Sequence, residues 1–257
     1  MWKKVRVAVL LSILAIVAAN EWLDHRRVTD WHGTVEVGVF PIAGDGSAAT
    51  RSYIDRLDAN AFQVVDEFIA EQSKSYGLPL MGPVHVSLYP PVAIAPPEPP
   101  PAPNVFSAIW WSLQMRFYAS RMGHAPDGRS PHIRMFVLFH DPVLTPSLAH
   151  SVGLRKGGLG VVNAFATRAM NDRNAVVVTH ELLHTLGATD KYDLATNTPL
   201  YPDGYAEPAR VPRLPQQWTE IMAGRRPVSA TEAVMPDSLE DCVVGPATAA
   251  EIHWTRD

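Results

Sequence analysis

The sequence predicts an α+β domain, and three observations point there. Short β-rich runs are separated by segments of helical period. Their order is strand, helix, strand, inserted helix, strand, strand, helix. Beyond Lys191 the chain turns irregular and rich in proline. A small mixed sheet, a long backing helix and an irregular C-terminal part follow from that order. The 257 residues, 47% hydrophobic and 19% charged, suit one full-sized globular domain and not a disordered chain. Residues 28–257 read as that single domain, with 34–190 and 191–257 as its two subdomains.

Taken in order, Thr34 to Phe40 alternates and is β-rich, which predicts a strand. The turn Gly44-Asp45-Gly46-Ser47 leads into a long helical pattern from Arg51 to Tyr76, stopped by Gly77 and Pro79. Val84 to Tyr89 predicts a second strand. From Pro90 to Pro103 eight of fourteen residues are proline, so this insertion should be extended and stiff. Asn104 can cap a helix running to Met122. Its Trp110–Trp111 pair reads as core, with a place beside a substrate cleft as the alternative. His132 to Phe139 is almost continuously apolar, as befits a central strand. Leu159 to Ala166 is a fourth strand, Ala175 to Gly187 a further helix, and Ala247 to Trp254 a last short one.

The first residues carry a different signal. The cationic stretch Met1 to Arg6 is followed by the apolar run Val7 to Ala19 and then by polar residues. This is the pattern of a secretory signal or, if uncleaved, an N-terminal membrane anchor over 1–27. The anchor reading is slightly preferred, although the run is short against the ~20 residues of a full span. Either way the rest of the chain should lie outside the cytoplasm, secreted or membrane-tethered. The net charge is −4 with no basic stripe, which argues against nucleic acid as a partner. Cys242 is the only cysteine, so neither an internal disulfide nor a cysteine-rich metal site can form.

The informative segment is His180-Glu181-Leu182-Leu183-His184-Thr185-Leu186-Gly187-Ala188-Thr189-Asp190. Residues four apart on a helix share a face, so His180 and His184 can offer two imidazole nitrogens to one ion. Glu181 lies about 100° round the helix, close enough to act on a metal-bound water without being a ligand. Gly187 can end the helix in a left-handed conformation and turn the chain back, bringing Asp190 to the ion as third ligand. Three protein ligands with one open position are the catalytic arrangement for zinc. A nitrogen and oxygen donor set suits Zn2+ best, with iron, cobalt and manganese compatible. Glu207 or Glu220 could stand in for Asp190.

The string H-E-x-x-H-x-x-G-x-x-D resembles the zinc signature of metzincin-like peptidases whose third ligand is aspartate, such as snapalysin-type enzymes. Asp190-Lys191-Tyr192-Asp193 is similar to the continuation in immune-inhibitor-A-type peptidases. The strand and helix order resembles the metzincin N-terminal subdomain. That resemblance implies a zincin fold and a metalloendopeptidase with one catalytic Zn2+. It also implies an edge strand beside the zinc helix that pairs with extended substrate, a place Leu159 to Ala166 would hold. It implies a methionine turn beneath the metal, for which Glu220 to Gly224 with Met222 is the best match and Met235 a weaker one. Tyr192 becomes a candidate oxyanion donor, and Asp193 a candidate partner of a ligating histidine or a capping carboxylate. His140, His150 and His253 have no ligand spacing and read as structural.

The expectation is thus a zinc-dependent metallopeptidase acting on peptides or proteins through a water activated by Glu181. The alternatives are a non-catalytic zinc-stabilised envelope binding module and a zinc hydrolase of a non-protein amide.

Overall fold

The computed structural model of the chain describes Arg6 and residues 29–100, 104–124, 130–154 and 157–255. Apart from Arg6, the leader expected over 1–27 lies outside the described residues, as do positions 101–103 of the proline-rich insertion. Among the described residues no helix is long and apolar enough to cross a membrane.

The fold is α+β, built on a five-stranded mixed sheet. Its strands are β1 (Val35–Ala43), β2 (Val84–Leu88), β3 (Ile133–His140), β4 (Val152–Leu154) and β5 (Leu159–Phe165), in the order β2-β1-β3-β5-β4. Every pairing is parallel except β4 with β5. β3 sits in the middle, as its unbroken apolar run suggests, because both faces of the sheet are covered. On one face Val37, Val39, Ile133, Met135, Val137 and Val162 pack in the larger of two cores. On the other face Phe40, Ile42, Phe136 and Leu159 meet Trp111, Met115 and Tyr118 of the inserted helix.

Helices α1 (Ala48–Ile54), α2 (Gln63–Ser75) and α4 (Asn171–Leu186) bring residues to the larger core. The inserted helix α3 (Val105–Met122) covers the opposite face. Asn104 caps α3, its side chain accepting from the Ser107 amide at 3.0 Å. The proline-rich segment lies along α3, where Trp111 Nε1 donates to Pro97 O and Tyr118 donates to Ile94 O.

The single helix expected over Arg51 to Tyr76 is two helices. Asp58 accepts from the Asn60 amide at 2.8 Å, so a side chain competes for the backbone although the apolar spacing runs on. The second difference concerns the sheet edge. Leu159 to Ala166 is not an edge strand, because β4 pairs antiparallel along its outer side. The third concerns the start of α4, which begins at Asn171 and not near Ala175. Its Asn174 side chain exchanges hydrogen bonds with the Phe165 amide and carbonyl, which docks the first turn of α4 onto the end of β5.

Past α4 the chain is irregular, as expected. It contains the pairs β6 (Thr219–Glu220) with β9 (Cys242–Val243) and β7 (Arg226–Pro227) with β8 (Ala233–Val234), then α5 (Pro246–Glu251). Ile221, Met222, Cys242, Ile252 and Trp254 join the larger core, so both halves of the chain share it. Trp31 Nε1 also donates to Ile252 O at 2.7 Å.

Candidate metal centre

The site forms where α4 ends. Leu182, Leu183 and Leu186 are fully buried and fix the helix against the sheet. His180 and His184 come out on its remaining face, with side chains 13% and 17% exposed. Gly187 ends the helix with φ 117°, a conformation that strains any residue with a Cβ. The Gly187 amide bonds to His184 O and the Ala188 amide to Leu183 O, the paired hydrogen bonds of a Schellman ending. The chain therefore doubles back within three residues and presents Asp190 to the two histidines.

The result is a tight triangle. Asp190 Oδ1 lies 3.3 Å from His180 Nε2 and 3.1 Å from His184 Nε2, and the two Nε2 atoms are 3.1 Å apart. A tetrahedral ion with ligands at roughly 2.0–2.2 Å sets neighbouring donors about 3.3–3.6 Å apart. The three atoms thus match one face of such a tetrahedron to within a few tenths of an ångström.

The hydrogen bonds on the far sides of the rings say which atoms are free. His180 Nδ1 is 2.9 Å from Ile221 O, and His184 Nδ1 is 2.8 Å from Ala188 O. A carbonyl only accepts, so both Nδ1 atoms must carry hydrogen. In the neutral tautomers two Nε2 lone pairs then face each other and a carboxylate. Only a cation or a proton relieves that arrangement, and His180, His184 and Asp190 can hold a metal ion. Burial alone would raise the Asp190 carboxyl pKa, but hydrogen bonds and charge from His180 and His184 outweigh it and hold it well below the usual carboxylate range.

Glu181 stands beside the triangle, 6% exposed, and its Oε2 is buried without a hydrogen-bond partner. Burial raises its pKa, against the opposing pull of His180 and His184. A buried polar atom without a partner is costly, and this carboxyl is near enough to His180, His184 and Asp190 to interact with their charges. The residues present therefore fit a metal ion.

Met222 is fully buried in a short 3-10 turn, Ile221–Ala223, that follows β6. The neighbouring Ile221 carbonyl orients His180, and the Met222 carbonyl accepts from the Lys191 amide at 2.9 Å. Met235, the weaker candidate, is 48% exposed. Glu220 is not among the clustered ligands. Its carboxylate is buried and accepts from the amides of Ala223 and Gly245 and from the Thr248 hydroxyl, tying the turn to α5. Glu207 is engaged with Arg210 and the Gln217 amide.

Tyr192 lies beside the site, its ring centroid 6.4 Å from that of His180. Burial and the nearby Asp190 carboxylate push its phenol up to about 12, so it stays protonated and able to donate. Asp193 faces its own loop, accepting from the amides of Ala195 and Thr196, which is the capping role and not a bond to a histidine. His140 bonds to Asn163, while His150 and His253 lie outside the cluster.

Two features escaped the sequence. Gly153 of β4 packs against α4. A Cβ there would lie 2.6 Å from His184 Cβ and 3.2 Å from Glu181 Oε2, and against the Glu181 carbonyl. The only sequence signal was a glycine between Val152 and Leu154. The second feature is a clamp on the Asp190 loop. Glu251 of α5 accepts from the Thr189 amide and hydroxyl and from Lys191 Nζ, the last at 2.7 Å. Lys191 is 5% exposed, so the residues on either side of Asp190 are held by one carboxylate some sixty positions downstream.

Compared with models of protein families and with curated proteins, the chain matches none.

Proposed function

We propose that the chain is a zinc-dependent metallopeptidase with a metzincin-like fold, working outside the cytoplasm. The observation that carries this reading is the convergence of His180 Nε2, His184 Nε2 and Asp190 Oδ1 beside an unpartnered, buried Glu181 Oε2. A pure binding site has no use for a carboxylate held in that state, whereas a hydrolytic site needs a base. The Met222 turn beneath His180 and the left-handed Gly187 add to the likeness in motif.

Zinc bound by the three residues would supply a Lewis acid that acidifies water and polarises a carbonyl. Glu181 takes the proton from the attacking water and passes it to the leaving amine nitrogen. Its raised pKa brings it closer to the range in which one group can do both. Tyr192 donates its phenol hydrogen toward the carbonyl oxygen as negative charge builds there. β4 takes over the role first expected of Leu159 to Ala166. It is an outer strand of the sheet, with no further strand beside it among the described residues, and lies against α4 at Glu181 and His184, so an extended peptide added to it would run past the site.

The test is a pair of variants. Glu181→Gln should bind one zinc and lose at least a hundredfold in peptide turnover. His184→Ala should lose both. Zinc-loaded Glu181→Gln cleaving peptides as fast as the parent protein would sink the mechanism. Stoichiometric zinc with no cleavage by the parent across a broad peptide library would favour a binding module, and cleavage confined to small or cell-wall amides a different hydrolase.

A further inference from the structure

A second constellation of reactive side chains lies at the other end of the sheet, on β2. Val84 and Val86 of this strand enter the larger core, so His85 and Ser87 point together to the opposite face. His85 Nδ1 stands 3.1 Å from Asp66 Oδ2 of α2, and His85 Nε2 stands 3.3 Å from Ser87 Oγ. The other Asp66 oxygen accepts from the Val86 amide at 2.8 Å, so both carboxylate oxygens are engaged.

These bonds select the histidine tautomer. A carboxylate accepts and does not donate, which places the His85 hydrogen on Nδ1. Nε2 keeps its lone pair, and the Ser87 hydroxyl donates to it. Hydroxyl, imidazole and carboxylate thus stand in the order that activates a serine as a nucleophile. The 3.3 Å bond is at the loose end, as is common before substrate binds. The sheet edge adds a donor. Parallel pairing with β1 turns the amides of Val84, Val86 and Leu88 outward, and that of Val86 is taken by Asp66. The Leu88 amide follows the serine directly, a place from which a backbone N–H can meet charge building on a carbonyl oxygen.

The surroundings define the substrate class. The His85 side chain is 56% exposed, so a substrate reaches Nε2 from solvent. Ser87 pairs across to Gly38, where the rings of Phe40, Tyr89 and Pro131 fill the space a Cβ would take. They form an apolar wall against which a short acyl chain can rest. Glu36 stands across from His85 and Asp66 beside it, so an anionic acyl group is disfavoured.

We propose that Ser87 and His85, with Asp66 as positioning residue, form a second hydrolytic site, for neutral carboxylic esters of short acyl chain. Ser87 Oγ bonds to the ester carbonyl carbon as its proton passes to His85 Nε2. The bond to the alkoxy oxygen then breaks, and His85 returns the proton to the departing alcohol. Water attacks the acyl-serine with the help of the same nitrogen, releasing the carboxylic acid and restoring Ser87. Asp66 touches no substrate and holds the imidazole. The site does not rest on the metal centre, because β2 and β4 are at opposite ends of the sheet, about 19 Å apart at the usual strand spacing.

The test treats the full chain, zinc-loaded and zinc-stripped, with a fluorophosphonate and with p-nitrophenyl acetate. The fluorophosphonate should label Ser87, located by peptide mass spectrometry, at the same rate in both forms. His85→Gln should slow labelling at least a hundredfold. Asp66→Asn should slow it at least tenfold, and Asp66→Glu should recover part of that loss. Ser87→Ala should abolish the catalysed release of p-nitrophenol. No label on Ser87, labelling that needs zinc, or labelling undiminished in His85→Gln or Asp66→Asn would overturn the proposal. So would equal p-nitrophenol release by Ser87→Ala and the parent protein.

Discussion

Replacing Gly153 by alanine tests how closely β4 is seated against α4. The new methyl group would stand 2.6 Å from His184 Cβ, where ordinary contact begins near 3.4 Å. It would also press on the Glu181 carbonyl, and neither neighbour is the loose end of a side chain. α4 cannot yield readily, because Leu182, Leu183 and Leu186 are fully buried beneath it. β4 must therefore move outward by the better part of an ångström. It is a three-residue strand that among the described residues pairs only with β5, so the damage stays local. Overpacking of this kind costs about 1–3 kcal/mol. For a domain of this size each kcal/mol lowers Tm by about 2–4 °C, so a fall of about 2–12 °C is expected. The assay is thermal unfolding of Gly153→Ala beside Gly82→Ala, whose new Cβ would meet nothing within 4 Å. The control should melt within about 2 °C of the parent protein. Identical melting of Gly153→Ala and the parent would refute the close seating of β4 on α4, and with it the placing of an extended peptide beside Glu181.

Two further outcomes follow from the site. Glu251→Gln should weaken zinc binding by about tenfold, because Lys191 loses its carboxylate and the loop carrying Asp190 loosens. An unchanged zinc dissociation constant would show that the clamp does not position Asp190. Zinc affinity should also fall steeply with acid. Burial alone would lower the His184 pKa, but the hydrogen bonds to Asp190 and the Ala188 carbonyl raise it above the ordinary histidine value of about 6.5. A proton on His184 must leave before a metal can bind, so affinity should begin to drop above pH ~6.5 as pH is lowered. In the metal-free protein the sign reverses: the raised pKa adds stability that is complete below the unfolded value and is lost as pH rises through the folded value. Zinc titrations from pH 8 downward, paired with melts of the apo protein, would show a flat profile if this electrostatic reading were wrong.

The parts of the fold legible in the sequence were those written in local periodicity. β1, β2, β3 and β5 stand within a residue or a few of their expected positions, because each is a run of β-branched and aromatic residues bounded by turns. The end of α4 was legible too, since Gly187 leaves few ways for the chain to go. What sequence missed depended on partners far away. β4 is three residues long and becomes a strand only by pairing with β5. Lys191 reads as a surface residue until Glu251 arrives from α5 to bury it. The break between α1 and α2 hid inside a pattern whose apolar spacing continued across Asp58. In α3 periodicity could not rank two apolar faces. Trp111 went to the core and Trp110 stayed outside, so the expectation of a buried pair was half correct.

The central claim is that His180, His184 and Asp190 hold one zinc ion for hydrolysis. Its most direct test is to strip the full chain of metal and add zinc back while following cleavage of a peptide library. Cleavage should be absent at the start, rise in proportion to added zinc and level off at one equivalent per chain. Zinc taken up to one equivalent with no cleavage, or cleavage undiminished in the stripped protein, would contradict it.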